Sequence, residues 1–156
     1  MSKTIYYAGL GALTCSIIYL LYRLGYISLP IEIPIQPPEE KPNIKVFPEE
    51  PKPGTTVHIY PWSPRFRVKA KVVNYSYKDY DVTIKYQVIS TTRNETIHDG
   101  EMTIPLPKRS HYALEFDVTY YPSAIEEDCK AVIQVYYNGE LVANYSWSFK
   151  VSQWLF

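Results

Sequence analysis

Three histidines, His58, His98 and His111, the acidic pair Asp79 and Asp81, and the acidic run Glu126-Glu127-Asp128 are the residues from which this chain could build a metal or acid–base site. The histidines are scattered without metal-ligand spacing, and Asp99, next to His98, reads as part of an Asp99-Gly100 turn. The acidic clusters offer oxygen donors of the kind calcium takes at the end of a β-sandwich, but loop carboxylates of this type are ordinarily solvated. No Gly-rich phosphate loop, nucleophile elbow or Cys–His pairing is present. These residues therefore predict no catalytic site, no metal and no cofactor, and the chain reads as a non-enzyme.

Cysteine chemistry is equally spare. Cys15 lies inside an apolar N-terminal run and Cys129 deep in the C-terminal half, so no internal disulfide framework is expected. Cys129 reads as a small buried thiol. The stripe Arg65, Arg67, Lys69, Lys71 is the most conspicuous charge feature. It would suit an anionic surface, but Glu115 and Asp117 on a neighbouring strand should neutralise much of it. Lys plus Arg and Asp plus Glu balance at 16 each, which leaves no net field to draw nucleic acid.

Two patterns point instead to surfaces. Asn74-Tyr75-Ser76, Asn94-Glu95-Thr96 and Asn144-Tyr145-Ser146 are N-glycosylation sequons, where chance would give about 0.7 in this composition. Asn74 and Asn94 fall in predicted turns and Asn144 on the outward face of the last strand, so a glycan fits the pattern at all three. The chain has 16 tyrosines, and several crowd predicted turns. Tyr75, Tyr77 and Tyr80 crowd one, Tyr120 and Tyr121 another, and Trp154-Leu155-Phe156 end the sequence; exposed aromatics of this kind are what interface hot spots are made of.

The elements that would carry these residues divide the 156-residue chain into three. From Ile5 to Leu29 the sequence is apolar except for Arg23, and as a helix it would run about 37 Å, enough to cross a ~30 Å hydrocarbon core. Tyr6, Tyr7, Tyr22 and Tyr26 lie near its ends, where aromatic rings prefer the interface. Residues 1–29 thus read as a tail and transmembrane helix. Pro30 to Pro42 reads PIEIPIQPPEEKP, with five prolines, and residues 30–43 are expected to form an extended stalk. Within it Ile31, Ile33 and Ile35 alternate, a pattern a partner could pair with as a strand.

Residues 44–156 follow period two. Phe66, Val68, Ala70 and Val72 fall on one face, and the same device recurs with Val82, Ile84, Tyr86 and Val88, and with Tyr112, Leu114, Phe116 and Val118. Ala131, Ile133, Val135 and Tyr137 make a penultimate strand. It turns at Asn138-Gly139, a strong hairpin signal, into a strand with Leu141, Ala143, Tyr145, Trp147, Phe149 and Val151 inward. Shorter strands are expected at Thr55–Tyr60 and Met102–Leu106, set off by Asp99-Gly100 and by the PWSP turn of Pro61 to Pro64. The expected fold is all-β, a seven-stranded antiparallel immunoglobulin-like β-sandwich preceded by one transmembrane α-helix.

The runs PEEPKPGTTVHI (Pro48 to Ile59), VKAKVVNYS (Val68 to Ser76) and IPLPKRSHYALEFDV (Ile104 to Val118) resemble the opening of CARDB-type immunoglobulin-like surface domains. The resemblance implies an extracellular adhesion or assembly module without catalysis. The Tyr-rich, Gly-poor, disulfide-free composition is similar to that of structural proteins of archaeal viruses. The sequence thus predicts a single-pass membrane protein with its N-terminus inside and its sandwich outside the membrane. Its expected partners are the lipid bilayer, through the N-terminal helix, and neighbouring surface, appendage or virion proteins, further copies of the chain among them. An adhesion or receptor-type module for glycan or protein ligands is the alternative.

Overall fold

The computed structural model describes Leu20, Arg23 to Gly25, and residues 40–154. The chain divides into two compact units, Met1–Glu40 and Lys41–Phe156. In the first, Leu24 N donates to Leu20 O at 2.9 Å, a helical-turn bond. No helix among the described residues is long and apolar enough to cross a membrane. The expected span Ile5–Leu29 lies almost wholly outside the described residues, as do most of the proline stalk and the Leu155-Phe156 end.

The second unit holds eight strands: β1 (Ile44–Glu50), β2 (Thr56–Ile59), β3 (Arg65–Asn74), β4 (Tyr80–Ser90), β5 (Glu95–Leu106), β6 (His111–Thr119), β7 (Glu126–Tyr137) and β8 (Glu140–Gln153). They form a three-stranded sheet, β1-β3-β6, and a five-stranded sheet, β2-β8-β7-β4-β5. All pairings are antiparallel except β2 with β8. The chain thus begins in one sheet as β1 and crosses at Pro51 to Gly54 to join the other as β2. The result is an all-β, immunoglobulin-like sandwich.

Its core is the one that alternation dictates. Val68, Ala70, Val72, Val82, Ile84, Val88, Leu114, Val118, Ala131, Ile133, Val135 and Val151 are fully or almost fully buried between the sheets, with Phe66, Trp147 and Phe149 beside them. Each aliphatic side chain so buried contributes about 1.5–3 kcal/mol, which lets the sandwich stand without disulfides. Cys129 lies in this core, free and fully buried. Desolvation, reinforced by the Glu127 charge, pushes its thiol up to about 12. Thiolate is the reactive form, so Cys129 is expected to resist maleimide in the native protein and to react once urea unfolds it. Mass-spectrometric labelling across a urea series checks this.

Three expectations are corrected. Among the described residues the strand count is eight rather than seven, because Ile44–Glu50 forms a strand despite Pro48; β1 is an edge strand, where a proline forfeits no ladder bond. Asp99-Gly100 is not a turn but the middle of β5; the hairpin turns instead at residues 91–94, with Asn94 at a φ of 54°. Gly100 pairs with Tyr86 across the ladder, and a Cβ there would collide with the Tyr86 ring. That ring is in turn stacked on Phe116 of β6 at 4.4 Å, and Phe116 on His98 at 5.3 Å. Tyr86, Phe116 and His98 thus close one side of the sandwich, from β5 to β6. Gly100→Ala should therefore cost about 1–3 kcal/mol by overpacking, measurable as a shift in the urea midpoint. Finally, Leu141 and Tyr145 are not core residues but 49% and 39% exposed. A bulge at the start of β8 disrupts the register near Leu141, and β2 pairs with β8 only from Lys150 onward.

Candidate interaction surfaces at the two poles

The strands run between two poles. At the proximal one the chain enters the sandwich at Lys41 to Asn43. Tyr75 N donates to Asn43 O and Asn43 N to Ser76 Oγ, both at 2.8 Å, which binds the leading segment to the β3–β4 turn. Asn74 N donates to Ser110 O at 2.8 Å and Arg109 N to Ser76 O at 3.0 Å, drawing in the β5–β6 turn. The guanidinium of Arg109 lies 5.0 Å over the Tyr77 ring and Lys45 Nζ 5.7 Å over Tyr75. This pole is cationic and aromatic.

The glycan expected at Asn74 has no room in this arrangement. Asn74 is fully buried; its Nδ2 donates to the carbonyls of Lys78, Leu106 and Pro107 at 3.0, 3.2 and 3.1 Å, and its Oδ1 accepts from Ser76 N at 2.9 Å. The amide that would carry a sugar is instead the bolt of the turn. Asn94 and Asn144 are exposed.

At the distal pole three backbone bonds gather the ends of the elements. Trp154 N donates to Ile59 O at 2.9 Å, Gln153 N to Ile125 O at 2.8 Å, and Tyr120 N to Pro64 O at 2.9 Å. The β2–β3 turn, the β6–β7 loop and the end of β8 are thereby brought side by side. On them Tyr60, Trp62, Tyr121, Ile125 and Trp154 are 39%, 71%, 72%, 68% and 48% exposed. Tyr60 and Trp62 stack at 5.0 Å with their planes 20° apart. Trp154 Nε1 donates to His58 Nδ1, and the two rings meet edge to face. Five large apolar side chains exposed at one end of a small domain mark a candidate interaction surface.

The pole is stiffened from beneath by Glu127, 1% exposed. Its Oε1 accepts from Ser123 N at 2.7 Å and from Ser123 Oγ, and its Oε2 from Ser90 Oγ and Arg93 Nε, both at 3.3 Å. A buried carboxylate survives because every lone pair is met. Its acidic neighbours are also engaged: Lys150 Nζ donates to Glu126 at 2.9 Å and lies 3.9 Å from Asp128. Asp79 Oδ1 accepts from Lys108 N at 2.8 Å. Among the described residues no three His, Cys, Asp or Glu side chains are grouped to hold a metal.

The predicted interaction residues therefore separate. Tyr121 and Trp154 lie on the distal pole and Tyr75 and Tyr77 on the proximal one. Tyr80 and Tyr120 are corrected to core residues, 4% and 2% exposed; Tyr80 packs edge to face on Tyr137, and Arg93 lies over the Tyr120 ring. Both flank turns, yet strand phase turns them inward. Tyr60, Trp62 and Ile125 were missed. The signal was two aromatics within a proline-bounded turn, which reads as turn chemistry before it reads as surface.

The basic stripe is neutralised by Glu115 and Asp117 only at Arg67; its two lysines are met from the other side, by β1. Arg67 reaches Glu115 at 2.7 Å and Asp117 at 2.9 Å, while Lys69 and Lys71 lie 3.7 and 3.4 Å from Glu50 and Glu49 of β1. The Arg67 hydrogen bond holds the Asp117 carboxyl below its usual range.

No family model and no curated protein matches the chain. Solved structures similar to it include a β-glucuronidase of glycoside hydrolase family 2, at 10% identity and a TM-score of 0.47 over 67% of this chain and 11% of that one. A β-glucuronidase of Bacteroides uniformis aligns at 9% identity and 0.49 over 68% of this chain and 14% of that one. The apo form of the Calx CBD1 domain aligns at 10% identity and 0.45 over 70% and 96%. The chain spans less than a sixth of the two glycosidases it resembles.

Proposed function

We propose that this chain is a non-catalytic, membrane-anchored assembly protein whose sandwich, outside the membrane, contacts neighbouring proteins through its distal pole. One observation carries the reading: Tyr60, Trp62, Tyr121, Ile125 and Trp154 are exposed together at the end of the domain away from where the chain enters. An apolar cluster at the tip, with the tether at the base, is the disposition a displayed contact module needs. The apolar run Ile5–Leu29 supports the anchor, the exposed sequons at Asn94 and Asn144 support an outside location, and the CARDB-type resemblance supports the module class. In this reading glycans belong on Asn94 and Asn144.

A second reading, a glycan-binding module, draws on the Tyr60–Trp62 stack, whose planar faces suit sugar rings. The two separate experimentally. A photo-crosslinking amino acid placed at Trp62 or Tyr121 of the full chain in its native membrane is expected to yield discrete heavier protein species. The same group at Glu101 is expected to yield none. Equal yields from all three positions would sink the assembly reading, and labelling of Trp62 by a glycan photoprobe instead of protein would favour the second.

A further inference from the structure

The side of the sandwich opposite the Tyr86–Phe116 closure is open. There β1 is the edge of one sheet, and β8 is an edge of the other until β2 joins it. The phase of the β8 edge is set by its bonds on the β2 side: Gly54 N donates to Ser148 O at 2.8 Å and Lys150 N to Thr55 O at 2.9 Å. Even-numbered residues therefore turn their backbone groups to this edge. Those of Asn144 and Ser146 have no ladder partner there among the described residues. Sheet edges are ordinarily guarded against pairing by charge, proline or brevity. Here β1 carries Lys45, Pro48, Glu49 and Glu50, β5 carries Asp99, Glu101 and Pro105, β6 carries Glu115 and Asp117, and β2 is short. From Leu141 to Phe149, β8 has neither charge nor proline. Asn144, Tyr145 and Ser146 are all exposed. A cleft of about 450 Å³ lies between Ala143 and Tyr145 on one side and Ile44, Val46 and Phe47 of β1 on the other.

We infer that this edge is the seam of a dimer, in which β8 pairs antiparallel with β8 of a second copy about a twofold axis at Tyr145. Opposite residues of an antiparallel pair share a face, and hydrogen-bonded pairs alternate with non-bonded ones. With Tyr145 facing its own copy, Asn144 of each chain meets Ser146 of the other. Each such pair exchanges two N–H···O bonds, which satisfies the edge groups left unmet in one copy. The two Tyr145 rings fall on the inner face, at the cleft, while Asn144 and Ser146 stay on the outer one. A second copy is the occupant because the edge is complementary to itself. Donors meet acceptors under the axis, and no like charges meet between Leu141 and Phe149. Charge on β1 agrees. Val46 and Phe47 share the cleft with Tyr145, so the axis passes β1 near them and sets Lys45 of one copy toward Glu49 of the other. The seam runs from residue 143 to 147, since the β2 side takes the edge from Ser148 onward and a bulge bends β8 at Val142. The Asn144 side chain points off the outer face, out of the plane of the edge bonds, so a glycan there leaves the backbone groups of the seam uncovered. The pairing rests on neither the distal pole nor the anchor.

So short a seam dissociates readily, and the test therefore traps it covalently. Full-length chains carrying Cys15→Ser, with the buried Cys129 retained, receive Tyr145→Cys and are oxidised in membranes. A disulfide-linked homodimer is expected, because non-bonded antiparallel partners lie about 4.5 Å apart at Cα. Ser148→Cys should give about tenfold less, since the axis holds it about 20 Å from its own copy. Added to the Tyr145→Cys chain, Ser146→Pro removes an N–H that bonds nothing within one copy but supplies half of the seam. It should lower the yield about tenfold while leaving the urea midpoint of the sandwich in place. Asn144→Lys with Ser146→Lys sets like charges directly opposite across the seam and should lower the yield about fivefold. Asn144→Glu with Ser146→Lys sets opposite charges there and should restore it. Both charge pairs lie on the exposed outer face, so the difference between them does not report unfolding, and it decides the matter if Ser146→Pro lowers the midpoint. No bridge at Tyr145→Cys, an equal one at Ser148→Cys, a yield untouched by Ser146→Pro, or equal yields from the two charge pairs would overturn the inference.

Discussion

Asn74→Asp is expected to destabilise the sandwich by about 3–5 kcal/mol, roughly the cost of leaving a buried charged group facing acceptors alone. The native amide nitrogen donates to three main-chain carbonyls at once, those of Lys78, Leu106 and Pro107. A carboxylate in its place would aim an acceptor at three acceptors, with no water able to intervene at a fully buried site. Asn74→Ala leaves the carbonyls unpaired without adding charge and should cost less, about 2–3 kcal/mol. Urea denaturation followed by the fluorescence of buried Trp147 measures both. A loss under about 1 kcal/mol for the aspartate variant would show that the turn relaxes around it.

At the other end of the strands Glu127 has the matching role, and Glu127→Ala is expected to cost about 3–4 kcal/mol. The carboxylate joins the β4–β5 hairpin, through Ser90 and Arg93, to the β6–β7 loop, through Ser123. Without it the guanidinium of Arg93, 30% exposed, can turn to water, which keeps the loss at the lower end. Glu127→Gln retains an acceptor and the volume and should cost about half as much. The loss should be local as well as global: hydrogen exchange at the Ser123 amide is expected to rise in the alanine variant well before the core amides respond. Unchanged exchange at Ser123 would mean that the loop is held by its backbone bonds alone.

Neither residue announced itself in the sequence. Asn74 was legible as the end of a strand and as a sequon, and both are true of the letters; what the pattern could not give is that three carbonyls from two separate turns converge on it. Glu127 sat in a run of three acids that looks solvated, and strand phase turned only the middle one inward. The strands themselves were readable because burial repeats every second residue over long stretches, as in β3 and β4. Where a non-local partner decides the matter, period two is silent. Gly100 is part of a strand through its pairing with Tyr86, whose ring fills the space a Cβ would take, and β1 is held by the edge that β3 offers it. The distal pole was half legible, through Tyr121 and Trp154. Tyr60 and Trp62 belong to a different turn, and bonds to the Ile59, Pro64 and Ile125 carbonyls help bring the turns together.

The placement of β1 also has a mechanical side. The chain enters the domain at the proximal pole, and β1 runs from there toward the distal one, laid antiparallel along β3 from Ile44 opposite Asn74 to Glu50 opposite Lys69. A pull between the leading segment and a partner gripping Trp62 acts along the strand axis. The rungs joining β1 to β3 are then loaded together in shear, whereas a chain entering from the far end would peel them apart one by one. A domain loaded this way yields late and all at once.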